Sequence, residues 1–357
     1  MFAQTLIIWH KQNPRPMPWL ETKDPYKIWI SEIILQQTRV AQGWQYYERF
    51  IERFPDITSL YHTHESDVLK YWEGLGYYSR ARNIKKTADQ IFTEYHGKFP
   101  DTYETLLSLP GIGPYTASAI AGFAYDLPYP VLDGNVARFL ARFLAVECPP
   151  LDPPGKKIII EFLTKAIQET KPSVFNQAIM NFGALICKPA KPNCHECPFT
   201  SGCKAYQLQL TDQLPVTLPK KEKTNRYFHY FIFYHAETGR TVIQQRSGKD
   251  IWQHLYEFPL IENESEGPLS KQKSDVLLSV FDINPDAEQP VQTLHKTQNL
   301  THQKIYFYLH FFLWKGHIKT NSKQYQTVNI TDLSTYGFPV TLSKIGFQLQ
   351  TMLENNN

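Results

Sequence analysis

At 357 residues the chain is longer than one ordinary hydrophobic core requires, so at least two folding units are expected. Lys and Arg number 37 against 34 Asp and Glu, too small an excess for net charge to imply a nucleic-acid partner, so clusters of basic residues have to carry that inference. The only apolar run near the start, Leu6 to Trp9, is cut off by His10 and Lys11, and neither a signal peptide nor a membrane span is expected.

From Met1 to Thr211 apolar residues recur at three and four positions, with Pro or Gly between the runs, which predicts an all-helical region over 1–211. Within it "DPYKIWISEIILQQTRV" (24–40) reads as a helix apolar nearly all round, and therefore buried, with Glu32 on the face of Ile28 and Leu35. A carboxyl placed there loses hydration when ionised, so it is expected to hold a proton near neutral pH. A rim position or a satisfied buried hydrogen bond would also account for Glu32. "LPGIGPYTASAI" (109–120) sets Gly111 and Gly113 before a helix that starts with Pro114. Both glycines can adopt positive φ, and the amides of such a turn can converge on a phosphate, although a helix corner packed for structure alone would use the same residues. "VLDGNVARFLARFL" (131–144) puts Asp133 at the N-cap of the next helix.

Cys187, Cys194, Cys197 and Cys203 follow with six, two and five residues between them. Structural zinc favours two close knuckle pairs, and only Cys194/Cys197 is one; a single pair with two outliers suits a bulkier iron-sulfur centre. Four cysteines this dense, in a chain without an export signal, point to ligation in a reducing cytoplasm rather than to disulfides, while Cys148 reads as a core residue. Around and after the loop, Lys188, Lys191, Lys204, Lys220, Lys221, Lys223 and Arg226 outnumber Glu196, Asp212 and Glu222, which suits a path along a phosphate backbone. Residues 212–226, with two prolines and a lysine cluster, read as a linker. Beyond it "YFHYFIFY" (227–234), "TVIQQR" (241–246) and "KIYFYLHFFLW" (304–314) read as strands, and Leu269 to Phe281 as a helix, giving an α+β domain over 227–357.

Taken together, "WISEIILQQTRV", "GLGYYSRARNI", "LPGIGPYTASAI", "LDGNVARFLAR", "NQAIMNFGALIC" and the C-x6-C-x2-C-x5-C loop resemble, in order, the motifs of the adenine DNA glycosylase (MutY) family of helix-hairpin-helix, endonuclease III-like proteins. The resemblance runs through essentially the whole chain. It implies a helical barrel with an iron-sulfur domain, followed by a Nudix-like domain that reads 8-oxoguanine. It further implies excision of adenine opposite 8-oxoguanine or guanine in double-stranded DNA during base excision repair, with Glu32 as general acid and Asp133 stabilising the oxocarbenium ion. Tyr115 and Asn135 would arrange the pocket, and Cys187, Cys194, Cys197 and Cys203 would bind a 4Fe-4S cluster. Contacts to DNA would come from Gln37, Leu75, Tyr77, Gly111 and Gly113, with Thr301 and His302 on the lesion. A monomer working on the bacterial nucleoid in the cytoplasm is the expected setting.

Tyr115 stands where the bifunctional relatives carry the lysine that forms a Schiff base with the sugar, so strand cutting is not expected. The Nudix hydrolase helix needs Arg-Glu and Glu-Glu pairs to hold metal, and the chain contains neither dipeptide. Two departures from the family stand out: Leu20 where arginine is common after Pro-Trp, and Leu300-Thr301-His302 where Phe-Ser-His is common. The alternatives are an endonuclease III-type glycosylase/lyase on oxidised pyrimidines, a non-catalytic DNA-binding iron-sulfur protein and a Nudix hydrolase with a helical appendage.

Overall fold

The computed structural model describes residues 1–15, 22–219, 221–235, 237–281, 290–314 and 324–356. By its contacts the chain falls into two units, one of Met1–His62 with Asn83–Pro219, the other of Thr63–Arg82 with Lys220–Asn357. The expected order of an all-helical region followed by an α+β domain is what the structure has, and the sheet of the second is mixed. Among the described residues no helix is long and apolar enough to cross a membrane.

The helices begin with α1 (Phe2–Gln12), α2 (Pro25–Leu35), α3 (Val40–Arg53) and α4 (Ile57–Tyr61), followed by α5 (Glu65–Tyr71) and α6 (Ser79–Glu94). Then come α7 (Tyr103–Ser108), α8 (Pro114–Tyr125), α9 (Gly134–Leu144), α10 (Pro153–Ile167), α11 (Pro172–Leu185) and α12 (Lys204–Gln207). Local chemistry sets the ends that matter for function. Asp24 caps α2 by accepting from the Tyr26 amide at 2.9 Å, with Pro25 preset at the first position. Its residues from Ile28 to Ile34 are all buried, as an all-round apolar helix should be. Gly113 and Pro114 open α8, and Asp133 opens α9.

In the first unit the core gathers α1, α9, α10 and α11 around Leu6, Phe139, Leu163, Phe175, Ile179 and Phe182, with Cys148 packed against it as a partly buried apolar residue. Gly183 is needed for one close approach. A Cβ there would lie 2.6 Å from the Asn135 carbonyl oxygen, so only glycine lets α11 sit against the first turn of α9. The consequence is functional, because that turn carries Asp133.

The second unit is built on a sheet of β1 (Thr224–His235), β2 (Arg240–Gln245), β3 (Tyr256–Glu257), β4 (Leu260–Asn263), β5 (Gln292–Asn299), β6 (Gln303–Trp314) and β7 (Tyr325–Asn329). The strand order is β3-β2-β1-β6-β5, with β4 also on β1 and β7 on β2. β1 and β6 run parallel from Thr224↔Gln303 to His235↔Trp314, while β5 and β6 form an antiparallel hairpin with Leu300, Thr301 and His302 at its tip. β1 starts at Thr224, within the stretch expected to be linker, because Thr224 and Asn225 already pair with Gln303 and Lys304. Helix α13 (Lys271–Val280) sets Leu277 and Leu278, with Phe281 just beyond it, against Phe231, Phe233 and Phe312 of the sheet, and α14 (Val340–Asn356) closes the chain. The Thr63–Arg82 segment joins this unit through Lys70 Nζ to the Tyr336 carbonyl (3.1 Å), Arg82 to the Gln253 carbonyl (2.9 Å) and Glu65 to His254.

Candidate active site

A cavity of about 1080 Å³ opens in the helical unit, lined by residues of α1, α2, α8, α9 and α11 and by the loops that precede α8 and follow α2. Glu32, Tyr115, Asp133 and Asn135 all line it, as do Gln37, Gly111 and Gly113. Residues 83 and more positions apart in the chain thus share one wall, which only the packing of α2 against α8 and of α9 against α11 brings about.

Glu32 is 5% exposed, and the Tyr115 hydroxyl donates to its Oε2 at 2.6 Å. Burial is the main force on its carboxyl and pushes it up to about 7; the phenol hydrogen bond opposes this, and the nearby Asp133 charge adds to it. Tyr115 is partly buried, and loss of hydration at its phenol together with the carboxyl it faces holds it well above the ordinary phenol value, so it remains a donor. Asp133 is built the opposite way. Its carboxylate accepts from the Asn135 amide (2.9 Å), the Val136 amide (2.7 Å) and the Asn135 side chain (2.9 Å). It sits at a helix N-terminus, where aligned amides favour negative charge. One acid poised to carry a proton and one surrounded by donors therefore line the same space.

Of the two hairpin glycines, Gly111 is at φ +73 and a Cβ there would strike Asn83 at 2.6 Å, whereas Gly113 lies at φ −88 with open space around it. The expectation of positive φ thus holds at Gly111 and is corrected at Gly113, which acts as the extended N-cap of α8 and leaves its open side to the cavity. Gln37, just past α2, is at φ +60.

In the second unit Tyr77 is 43% exposed while Leu75 is buried. Gly74, Gly76 and Tyr77 all have positive φ, and the loop is clasped from within: Trp72 Nε1 and Arg80 both donate to the Gly76 carbonyl at 3.1 Å. The Tyr77 hydroxyl meets the Thr301 hydroxyl, so residues 224 positions apart share a hydrogen bond, and His302 beside Thr301 is exposed at the same hairpin tip. Leu300 is half-buried and pairs its amide with the Gln303 carbonyl; Leu20 lies outside the described residues.

Cys187, Cys194, Cys197 and Cys203 ring a separate small cavity together with Arg142, Phe139 and Phe199. The four sulfur-bearing residues, spread over 187–203 in the chain, are brought around one space, which is the donor set that a four-thiolate centre takes. Burial pushes the thiols of Cys194, Cys197 and Cys203 up, Cys197 to about 11, a cost that a cationic centre would offset. The donor set therefore fits a cluster.

Two arginines of α9 were not singled out from the sequence. Arg142, 3% exposed, donates to the carbonyls of Lys188 (2.7 Å), Pro189 (2.9 Å) and Leu214 (2.8 Å) and points Nη1 at the Cys187 sulfur (3.4 Å). Arg138, one turn earlier, donates to the carbonyls of Cys187 (2.7 Å) and Gly183 (2.7 Å) and to Asn135 Oδ1 (3.0 Å). The signal was available, since an arginine repeating every four residues on a helix with an apolar stripe marks one face. His10, Arg15, Gln177 and Asn181 also line the main cavity without having been singled out.

Comparison with known proteins places these units. The model of the HhH-GPD superfamily of base excision DNA repair proteins matches residues 30–165, and that of the NUDIX domain matches residues 229–346. An adenine DNA glycosylase of Buchnera aphidicola subsp. Baizongia pistaciae is 33% identical over 351 residues, 97% of this chain and 95% of that protein. The human adenine DNA glycosylase is 36% identical over 222 residues, 60% of this chain and 41% of its own length. Among solved structures, a thermostable thymine-DNA glycosylase aligns with a TM-score of 0.53 and 27% identity over 58% of this chain and 95% of its own. An endonuclease III–DNA complex, at TM-score 0.51 and 22% identity over 58% of this chain and 96% of its own, shares the fold.

Proposed function

The chain belongs to the adenine DNA glycosylase family, and we propose that it excises adenine standing opposite 8-oxoguanine or guanine in duplex DNA, leaving an abasic site without cutting the strand. The observation that carries this is Glu32: a carboxyl buried on a cavity wall, raised to about 7 and fixed by Tyr115, with Asp133 on the same cavity.

The chemistry follows from those two acids. A target base has to leave the stack, at a cost of a few kcal/mol that is least at a mispair. Adenine is a poor leaving group until protonated, and Glu32 gives its proton to N7. The bond from C1′ to N9 then breaks with its electron pair going to the base, and positive charge spreads over the sugar. Asp133 faces that charge, held in place by Asn135. Water adds at C1′ and gives its proton to the Glu32 carboxylate, which restores the acid. Tyr115 keeps the Glu32 carboxyl oriented through the cycle and has no amine with which to form a Schiff base.

For DNA, Gln37, Gly111 and Gly113 line the helical unit's cavity, and Tyr77, Thr301 and His302 form the exposed reader in the second unit. Tyr77 is the wedge that is presented, whereas Leu75 is buried. Cys187, Cys194, Cys197 and Cys203 would hold a 4Fe-4S cluster, which when bound ties four thiolates of the 187–203 loop to one rigid centre. The protein acts as a monomer on double-stranded DNA in the bacterial cytoplasm.

The test uses three duplexes under single-turnover conditions, with adenine opposite 8-oxoguanine, guanine or thymine. The rate should fall in that order, and borohydride should trap no covalent complex. Equal rates on all three would overturn the specificity, and a trapped complex would return the enzyme to the lyase class.

A further inference from the structure

Helix α11 turns two amides, Gln177 and Asn181, toward the main cavity one helical turn apart. Gln177 Nε2 donates to Asn181 Oδ1 at 3.3 Å, which orients the Asn181 amide and leaves its Nδ2 as a donor. Asn181 is 1% exposed, and Nδ2 has no partner among the described residues. A buried amide donor in that state is costly, and native proteins keep such groups where something else completes them. Nδ1 of His10 in α1, on the same cavity, is likewise buried and without a partner among the described residues. Two open polar atoms on one cavity that already holds the acid pair mark a wall built to meet a polar ligand.

Resting on the function proposed above, we propose that Asn181 is a specificity-determining residue whose Nδ2 donates to a ring nitrogen of the extruded adenine other than N7, that is, N1 or N3. N7 is taken by Glu32, and the exocyclic amine is a donor, so these two are the acceptors that remain. At N1 the match is selective, because guanine carries a hydrogen there, which would set donor against donor and leave Asn181 buried and unsatisfied. At N3, an acceptor in both purines, the same contact would orient the base without discriminating, so loss with 1-deazaadenine is the result that makes Asn181 a specificity residue. Gln177 is the positioning residue that holds the amide in the donating orientation.

The test compares the parent enzyme with Asn181→Leu on duplexes carrying adenine, 1-deazaadenine or 3-deazaadenine opposite 8-oxoguanine, with single-turnover release as the readout. In the parent, one analogue should slow release by about tenfold or more, the worth of one hydrogen bond. In Asn181→Leu, release of adenine itself should fall by a similar factor, and that analogue should bring no further loss. Asn181→Ala gives the same reading should the leucine variant not fold. The role of Asn181 is overturned if both analogues penalise the variant as much as the parent, or if neither slows the parent. Failure of the parent to release adenine at all would overturn the functional reading and this inference with it, so the two failures are distinguishable.

Discussion

Each unit buries a glutamate, and the two are used in different ways. Glu257, 3% exposed in the second unit, is met by Arg246 Nη1 (2.7 Å), Tyr230 OH (2.9 Å) and Gln244 Nε2 (3.0 Å). Burial pushes its carboxyl up, and all three donors pull it back. Glu32, 5% exposed in the helical unit, has among the described residues one phenol as its hydrogen-bond partner, an anionic neighbour in Asp133, and a cavity in front of it. Burial of an acid is therefore no sign of catalysis by itself. What separates the two is whether the surrounding donors are spent on the carboxylate, as at Glu257, or withheld so that a proton stays on it, as at Glu32.

The largest consequence is on rate. Glu32→Gln keeps the shape and removes the transferable proton, so adenine release should drop on the order of 10² to 10⁴-fold. Release at the parental rate in a single-turnover assay would end the general-acid role. The same substitution should leave the melting temperature unchanged or raise it, because it takes an ionisable group out of an apolar wall. Glu257→Ala should do the reverse. It leaves Arg246 paired with the more exposed Asp250 but without its buried partner, and takes the acceptor from Tyr230 and Gln244; breaking a buried pair costs about 3 to 5 kcal/mol. A thermal melt should show the second unit's transition lowered by roughly 10 °C; an unchanged melt would mean that the pair is not the anchor its geometry describes.

The smallest effect is on the pH profile. With the Glu32 carboxyl at about 7, the protonated form dominates below that pH, so the rate should be lost as pH rises through it. The Tyr115 hydroxyl lowers that value by favouring the carboxylate. Tyr115→Phe should therefore move the alkaline limb to higher pH, by about half a unit to one unit for one partly buried hydrogen bond. A shift toward lower pH in the single-turnover profile would show that the contact stabilises the protonated acid instead.

Much of this was open to reading in one dimension. The apolar wrap of α2 announced the burial of Glu32, and Asp133 announced the cap of α9. The aromatic runs announced β1 and β6. Other facts depended on pairs far apart in sequence. That β1 and β6 run parallel, that Tyr77 meets Thr301, and that Thr63–Arg82 shares a unit with the C-terminal sheet have no periodic signature. Nor did the roles of Arg138 and Arg142, whose partners are carbonyls, groups that every residue carries and that no motif can name.

By itself the sequence determined which residues could do chemistry: a glutamate wrapped in apolar neighbours, an aspartate at a helix start, tyrosine in the place of an amine, and cysteines at cluster spacing. These are properties of side-chain type and near-neighbour pattern, which a chain carries before it folds. Tertiary structure alone decided that Tyr115 would fall on Glu32, that Gly183 would admit α11 to the turn of Asp133, and that Asn181 would face the cavity with a donor to spare. Hydrogen-bond partners and desolvation are set by whatever lies within a few ångströms, and only the packed helices determine what that is.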